Sequence, residues 1–338
     1  MSFKICSIGC GRIATDQHGP SYVHYAREHS DTQLVACCDI DEAKAIAFSN
    51  HFGFARHYTD YIQMLCAERP DAVTLTVPYT ETCELACGIM TLGYPLILEK
   101  PPGCTVEEID HLIGTIDACY VPNQVAFNRR HVPLVKRLKW LMAEHIEAGQ
   151  LQHIRYEFTR VGRTDNDFST TAIHSIDTAR HLAGSDYQFI RFRYQEFPDL
   201  GPTIANIFMD GQFTSGATAH LSFCPVTGAA TERVAVYAHE HAFFLKIPIQ
   251  DGLDVPGHLM HVCQDKVQID LTGDPDSSTE PFMMSGFYGE NAAFFDALRQ
   301  GHRPEDDLRS SRQAVVIAQY LRERKPEYCL DDCYGKNS

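Results

Sequence analysis

The chain has 338 residues, with 44 acidic against 29 basic side chains and a formal charge of −15 at pH 7. That length suits about two domains, and 44% hydrophobic with 22% charged residues excludes disorder over most of it. The acidic balance, with no Lys/Arg-rich run, excludes a general nucleic-acid binder and a binder of anionic membranes.

No apolar stretch approaches the roughly 18–20 residues needed to cross a bilayer. The short run after Met1 passes straight into a glycine turn, unlike a signal peptide. Several of the thirteen cysteines, such as Cys6, Cys37 and Cys38, fall inside apolar runs. They read as small core hydrophobes in a reducing compartment, and the cytoplasm is the expected location. Cys83/Cys87 and Cys329/Cys333 lack a second paired knuckle and give little zinc signal.

From the N-terminus, Phe3–Ile8 is a strand running into Gly9-Cys10-Gly11-Arg12-Ile13-Ala14, with a helix expected from about Tyr22 to Glu28. Leu34–Cys38 ending at Asp39, Ala72–Val77 before Pro78, and Leu96–Leu98 before Glu99-Lys100-Pro101 repeat the pattern. Near-continuous apolar runs between helices are strands buried on both faces, as in a parallel sheet with crossover helices. Thr105 and Glu108 have capping-box spacing ahead of the stripe Ile109, Leu112, Ile113 and Ile116. A strand at Val121–Phe127 ends at Asn128-Arg129-Arg130, and a helix runs from Pro133 to a stop at Gly149.

Beyond residue 150, segments 154–161, 189–197, 203–209, 213–223, 234–247 and 266–271 are β-branched and aromatic, and several alternate. That pattern marks an antiparallel sheet with one covered face. Two late helices follow, one through Phe294, Ala297 and Leu298 to Gly301, the other through Ala314, Ile317, Ala318 and Leu321; a polar tail begins near Asp331. The expected fold is α/β. A doubly wound parallel Rossmann domain over 1–128 precedes an α/β domain over 129–330 with a large, mostly antiparallel open sheet. The late helices are candidates to pack back on the first domain.

Gly9-x-Gly11-x-x-Ala14 between a strand and a helix is a dinucleotide phosphate turn. Gly9 permits the turn, Gly11 admits the pyrophosphate, and Ala14 keeps the helix close to the sheet. Asp39 closes the next strand, where an acid grips ribose hydroxyls. It lies farther on than the roughly 20 residues usual for this motif, and an insertion at His18-Gly19-Pro20 absorbs the difference. An acid there repels a 2′-phosphate, so NAD is expected over NADP. Cys10 reads as inert.

Lys100 follows a core strand at the carboxyl edge of the sheet, where open α/β sheets bind ligands. His174-Ser175-Ile176-Asp177 opens a helix carrying Arg180 and His181. A lysine and a histidine supply what alcohol oxidation needs, a base for the hydroxyl proton and a cation for the developing alkoxide. His174, Asp177 and His181 share a helical face, but no further metal ligand is identifiable and no metal is expected. Arg160, Arg163, Asp165 and Asp167 are candidate substrate-loop residues. Arg129 faces an anionic or polyol substrate, while Arg130 reads equally as a solvated surface residue. His239 and His241 read as alternating on one strand face.

These pieces together resemble the glucose–fructose oxidoreductase, inositol dehydrogenase and rhizopine-catabolism (Gfo/Idh/MocA) family. The matches are the glycine turn, Asp39, Pro78, Glu99-Lys100-Pro101, Phe127-Asn128-Arg129-Arg130, His174-x-x-Asp177 and Gly286-Phe287-Tyr288 leading to Phe294-Phe295-Asp296-Ala297. The resemblance implies hydride transfer between a nicotinamide cofactor and a hydroxyl or keto carbon of a sugar, cyclitol or related polyol. It implies Lys100 and His174 as catalytic groups, Asp177 as support, and a cis bond before Pro101. Cofactor contacts would come from Gly9, Cys10, Gly11, Arg12, Ile13, Asp39, Thr76, Pro78, Glu99, Lys100 and Asn128. Substrate contacts would come from Lys100, Arg129, Arg163, Thr170 and His174. A homodimer or homotetramer through the C-terminal sheet is implied as well. The chain departs from the family at Thr170, where an acid is frequent, and at Ala172, Thr82 and Tyr79. Two alternatives therefore stay open: a NAD-dependent glycosidase acting by transient oxidation and elimination, and a cofactor-binding sensor without catalysis.

Overall fold

The computed structural model describes residues 2–147, 149–165, 167–249 and 252–333; the tail after 333 and the Cys333 side chain lie outside the described residues. The chain forms two compact units, Met1–His131 with Glu280–Val315, and Val132–Thr279 with Val316–Ser338.

The first unit alternates β1 (Phe3–Ile8), α1 (Gly19–Glu28), β2 (Thr32–Cys38), α2 (Glu42–Phe52), β3 (Arg56–Tyr58), α3 (Tyr61–Glu68), β4 (Ala72–Leu75), α4 (Tyr79–Thr91), β5 (Leu96–Glu99), α5 (Val106–Cys119) and β6 (Asn123–Ala126). The sheet is all parallel in the order β3-β2-β1-β4-β5-β6. Ile5, Cys6, Val73, Leu75, Leu96 and Leu98 are completely buried, which is why these strands lack polar alternation. Strand order reverses between β1 and β4, placing a crevice at their carboxyl ends. Helix starts follow the side chains: Asp41 caps α2, Asp60 caps α3, and Thr105 with Glu108 closes a capping box on α5.

The insertion expected at His18-Gly19-Pro20 falls inside a helix that begins at Arg12 and runs unbroken to Glu28. Its second turn, Ala14–His18, is π-helical, and the Gly19 amide donates to the Ala14 carbonyl. The wider turn absorbs one extra residue and seats Pro20, which has no N–H to give, at the start of α1.

The second unit starts with α6 (Pro133–His145), β7 (Leu151–Thr159) and α7 (Ser169–Ala183). Strands β8 (Tyr187–Glu196), β9 (Ala205–Phe213), β10 (Thr218–Cys224), β11 (Thr231–Ala238), β12 (His241–Ile247), β13 (His258–Cys263) and β14 (Lys266–Thr272) follow. In chain order the first unit then resumes with α8 (Pro281–Met284), α9 (Phe287–Arg299) and the start of α10 (Leu308–Arg322), and β15 (Glu327–Cys329) and α11 (Leu330–Cys333) return to the second unit. The nine-stranded sheet runs β14-β13-β12-β11-β7-β10-β9-β8-β15. All its neighbours are antiparallel except β7 and β10. Burial alternates along β9 and β11, so one face is covered, with α7 packing on β7 and β10.

Segment 234–247 is a hairpin rather than one strand. His239 sits in its turn with Glu240 at φ 62°, and only His241 is on a strand. Segment 213–223 is likewise split, by a turn at Gly216 with φ 90°. Strands β3, β13 and β15 were not expected. In the first unit, α9 packs on α1: Phe295 meets Tyr22, Tyr25 and Phe3, and the Tyr25 hydroxyl donates to Asp296 Oδ1 at 2.7 Å.

Candidate active site

The glycine turn leaves β1 at φ 90° on Gly9, whose amide donates to the Cys38 carbonyl at 2.8 Å. A Cβ at Gly9 would overlap the Thr76 carbonyl oxygen and lie 2.7 Å from its carbon. Thr76 Oγ1 in turn donates to the Gly9 carbonyl at 2.8 Å, so Thr76 shapes the turn. The Cys10 amide donates to Asp39 Oδ2 at 2.8 Å and the Asp41 amide to Asp39 Oδ1 at 2.9 Å. Each carboxylate oxygen keeps a lone pair for a further donor. The Cys10 thiol is buried and pushed far above its ordinary value by a hydrogen bond with Cys37 and by burial, which keeps it protonated and inert.

A dinucleotide fits this cradle. A Cβ at Gly11 would meet nothing within 4 Å, the reverse of Gly9, so the open space lies at the position a pyrophosphate needs. Arg12 and Ile13, which follow it in the chain, are exposed, as is Pro78 beyond the end of β4. Arg12 pairs with Asp16 one helical turn on, at 3.2 Å and largely in solvent. The apolar side chain of Ile40, next to Asp39, is 94% exposed.

Glu99 and Lys100 end β5 at the same carboxyl edge, and the Lys100–Pro101 peptide is cis. The Lys100 amide donates to Glu99 Oε2 at 3.0 Å, while Glu99 Oε1 takes His18 Nε2 at 2.8 Å. Asn128, expected to touch cofactor, is buried and spends its amide nitrogen on the Ser285 carbonyl at 2.8 Å. Arg129 and Arg130 are both buried. Arg130 pairs with Asp306, which also meets His131 Nε2 at 2.9 Å, correcting the solvated reading of Arg130. Burial alone would raise the Asp306 carboxyl; the His131 hydrogen bond and the Arg130 charge outweigh it and hold it well below the usual range.

Sequence reasoning overlooked His18, Glu290 and Asn291. Among the described residues, His18, Glu99 and Glu290 are the one trio of His, Cys, Asp or Glu whose donor atoms lie within 4.8 Å of one another. Metal ligation does not suit it. Asn291 Nδ2 serves both the Phe287 carbonyl at 2.7 Å and His18 Nδ1 at 3.0 Å, so Nδ1 accepts and Nε2 carries the proton given to Glu99. Cys83 and Cys87 are packing groups, with the Cys83 thiol on the Glu108 carbonyl and Cys87 taking the Thr115 hydroxyl.

In the second unit, α7 carries His174 and Asp177, both buried, one turn apart. Thr170 lies in its first turn and donates to the Asp167 carbonyl at 2.9 Å. The Ser169 amide donates to Asp167 Oδ1 at 3.0 Å, so Asp167 anchors the helix start. Arg163 forms a two-pronged pair with Asp165 at 2.7 and 3.1 Å and reaches Thr171 Oγ1 at 3.2 Å. Arg160 is not a substrate-loop residue. It is buried, its guanidinium lies 3.7 Å from the Phe158 ring centroid, and it pairs with the fully buried Glu232, which also takes the Tyr156 hydroxyl. Arg180 is engaged with Asp186 at 2.6 Å.

Residues 3–126 match the sequence model of an oxidoreductase family with an NAD-binding Rossmann fold, Gfo/Idh/MocA. A D-glucoside 3-dehydrogenase of Escherichia coli is 30% identical over 112 residues, which is 33% of this chain and 31% of that one. An inositol 2-dehydrogenase of Ralstonia nicotianae is 28% identical over 193 residues, 55% of this chain and 56% of that one. The chain thus spans between about a third and just over half the length of these relatives. The crystal structure of an oxidoreductase domain protein from Kribbella flavida superposes with TM-score 0.82 at 16% identity, covering 98% of this chain and 100% of that one, which shows the shared fold.

Proposed function

We propose that this chain, whose residues 3–126 match the model of the Gfo/Idh/MocA oxidoreductase family, is an NAD-dependent dehydrogenase acting on a hydroxyl of a sugar, cyclitol or related polyol. The observation that carries the reading is the set of residues along one carboxyl edge: the open Gly11, Asp39 held by the Cys10 amide of the turn, and Lys100 at the end of β5. The relatives acting on a glucoside and on inositol support the substrate class.

Gly9, Gly11 and Asp39 would hold the cofactor, with Ile13 and Pro78 alongside. When bound there, a nicotinamide cofactor would supply the hydride acceptor. Asp39 favours NAD, because its charge opposes a 2′-phosphate. Lys100 at the end of β5 would hold the substrate oxygen as negative charge develops, and the family resemblance assigns the proton-transfer role to His174 of α7, with Asp177 one turn on as its support. Thr170, bonded to the Asp167 carbonyl, brings no second acid to this set; that supports, as a second reading, a sensor that binds NAD without turnover. A reducing, cytoplasmic location is supported by the described cysteines, all free. Pairing of two copies through the second unit's sheet is supported by its open face, where Tyr237, Phe244 and Val267 are exposed.

Lys100→Met tests the reading. Turnover on a responsive polyol should fall by at least about 10³-fold, a general acid–base and electrostatic loss, with NAD affinity unchanged. Full activity in this variant refutes it. NAD binding without reduction across a broad polyol panel favours the sensor.

A further inference from the structure

Glu290 lies in the first turn of α9 within the first unit and is completely buried. Neither carboxylate oxygen has a hydrogen-bond partner. Its neighbour Glu99 already accepts on both oxygens, from His18 Nε2 on one and the Lys100 amide on the other. The other ring nitrogen of His18, Nδ1, is taken by Asn291 Nδ2 at 3.0 Å, so His18 points no donor at Glu290. Two carboxylates within 4.8 Å, one of them without a single donor, do not both ionise in an interior.

We propose that Glu290 is a positioning residue for the Glu99–Lys100 end of β5. It keeps its proton in the working protein, so that Glu99 alone carries the negative charge there, and loses that proton at alkaline pH, which unseats Lys100.

The groups around Glu290 set the balance. Glu99 on β5 and Asp306 before α10 disfavour a second negative charge, while Arg129 and Lys100 favour it. Tyr22 on α1 is neutral and, being buried, is itself pushed up. Burial is the largest influence, followed by Glu99, and the two cations do not overcome them: the Glu290 carboxyl is raised well above the ordinary range. Once ionised, it repels the Glu99 carboxylate that receives the Lys100 amide. The inference rests on the reading of Lys100 as the group that meets substrate, but the protonation of Glu290 is measurable without turnover.

The test has two arms on the full chain. Infrared difference spectra of protein with ¹³C-labelled glutamate should show a protonated carboxyl band at neutral pH that disappears on alkaline titration and is missing in Glu290→Gln. In steady-state kinetics the wild type should show an alkaline limb in kcat, falling about tenfold per pH unit as one proton is lost. Glu290→Gln, which reproduces the neutral carboxyl, should restore kcat to within about threefold at neutral pH and lack that limb. Glu290→Met provides a second neutral side chain if the glutamine variant folds poorly. The absence of the band overturns the proposal, as do identical pH profiles for wild type and neutral variants. A fully active Lys100→Met with the band intact refutes the Lys100 reading and with it the positioning role, while leaving the protonated carboxyl established.

Discussion

The two glycines of the turn should respond oppositely to the same added methyl. At Gly9, alanine must adopt φ 90°, which costs about 1–2 kcal/mol. Its Cβ also runs into backbone, the Thr76 carbonyl, which is held where β4 ends and cannot rotate away. Overpacking of this kind adds roughly 1–3 kcal/mol. The sum, about 2–5 kcal/mol, corresponds to a drop in Tm of about 4–20 °C for a domain of this size. At Gly11 the methyl meets no heavy atom within 4 Å, so Tm should hold or rise slightly as the unfolded chain loses freedom. The methyl then occupies the room assigned to the pyrophosphate, and the Kd for NAD should rise at least about tenfold, or 1.4 kcal/mol. Thermal unfolding monitored by circular dichroism and calorimetric NAD titration read the two effects separately. Wild-type NAD affinity in Gly11→Ala would refute the placement of the cofactor; a wild-type Tm in Gly9→Ala would refute the packing argument.

Asp39→Asn keeps an acceptor for the Cys10 amide but removes the charge, so the NAD-to-NADP affinity ratio should fall by at least about tenfold. The effect should shrink with added salt, and an unchanged ratio in competitive titrations would rule out Asp39 as the discriminator. In the second unit, burial, then the neighbouring His145 and His241, lower the His261 imidazole from 6.5 to about 4. The unfolded chain therefore binds this proton more tightly. Stability is full above about pH 6.5 and declines as pH falls toward 4, by up to about 3 kcal/mol. Urea midpoints measured across that window should flatten in His261→Gln; an unaltered slope would assign the acid sensitivity elsewhere.

Five strands of the first sheet were legible because strands covered on both faces leave apolar runs, whereas the edge strand β3, Arg56-His57-Tyr58, is exposed and leaves none. The glycine turn, Asp39 and the Thr105/Glu108 capping box are local signals, readable without knowing what packs where. The second sheet was legible in kind but not in detail. The turn between β11 and β12 carries His239 and Glu240 with no Gly or Pro, so 234–247 looked continuous. The parallel pairing of β7 with β10 is a long-range choice with no local trace. At the site, the roles of Arg130, Arg160 and Asn128 depended on partners far along the chain, at Asp306, Glu232 and Ser285. His18 was misplaced because a π-helical turn changes the face on which a residue emerges, and periodicity assumes a constant 3.6 residues per turn.

That one irregular turn at Ala14–His18 has a geometric consequence for the whole strand-to-helix transition. A spare residue wound into the helix works as a swivel of roughly 100°, the angle one residue subtends in regular winding. The leading residues can aim their amides toward the mouth of the crevice while Tyr22 and Tyr25, further down, keep their rings in the oily interior. The two tasks of this helix are thereby uncoupled, and either end is free to drift in sequence without dragging the other out of register.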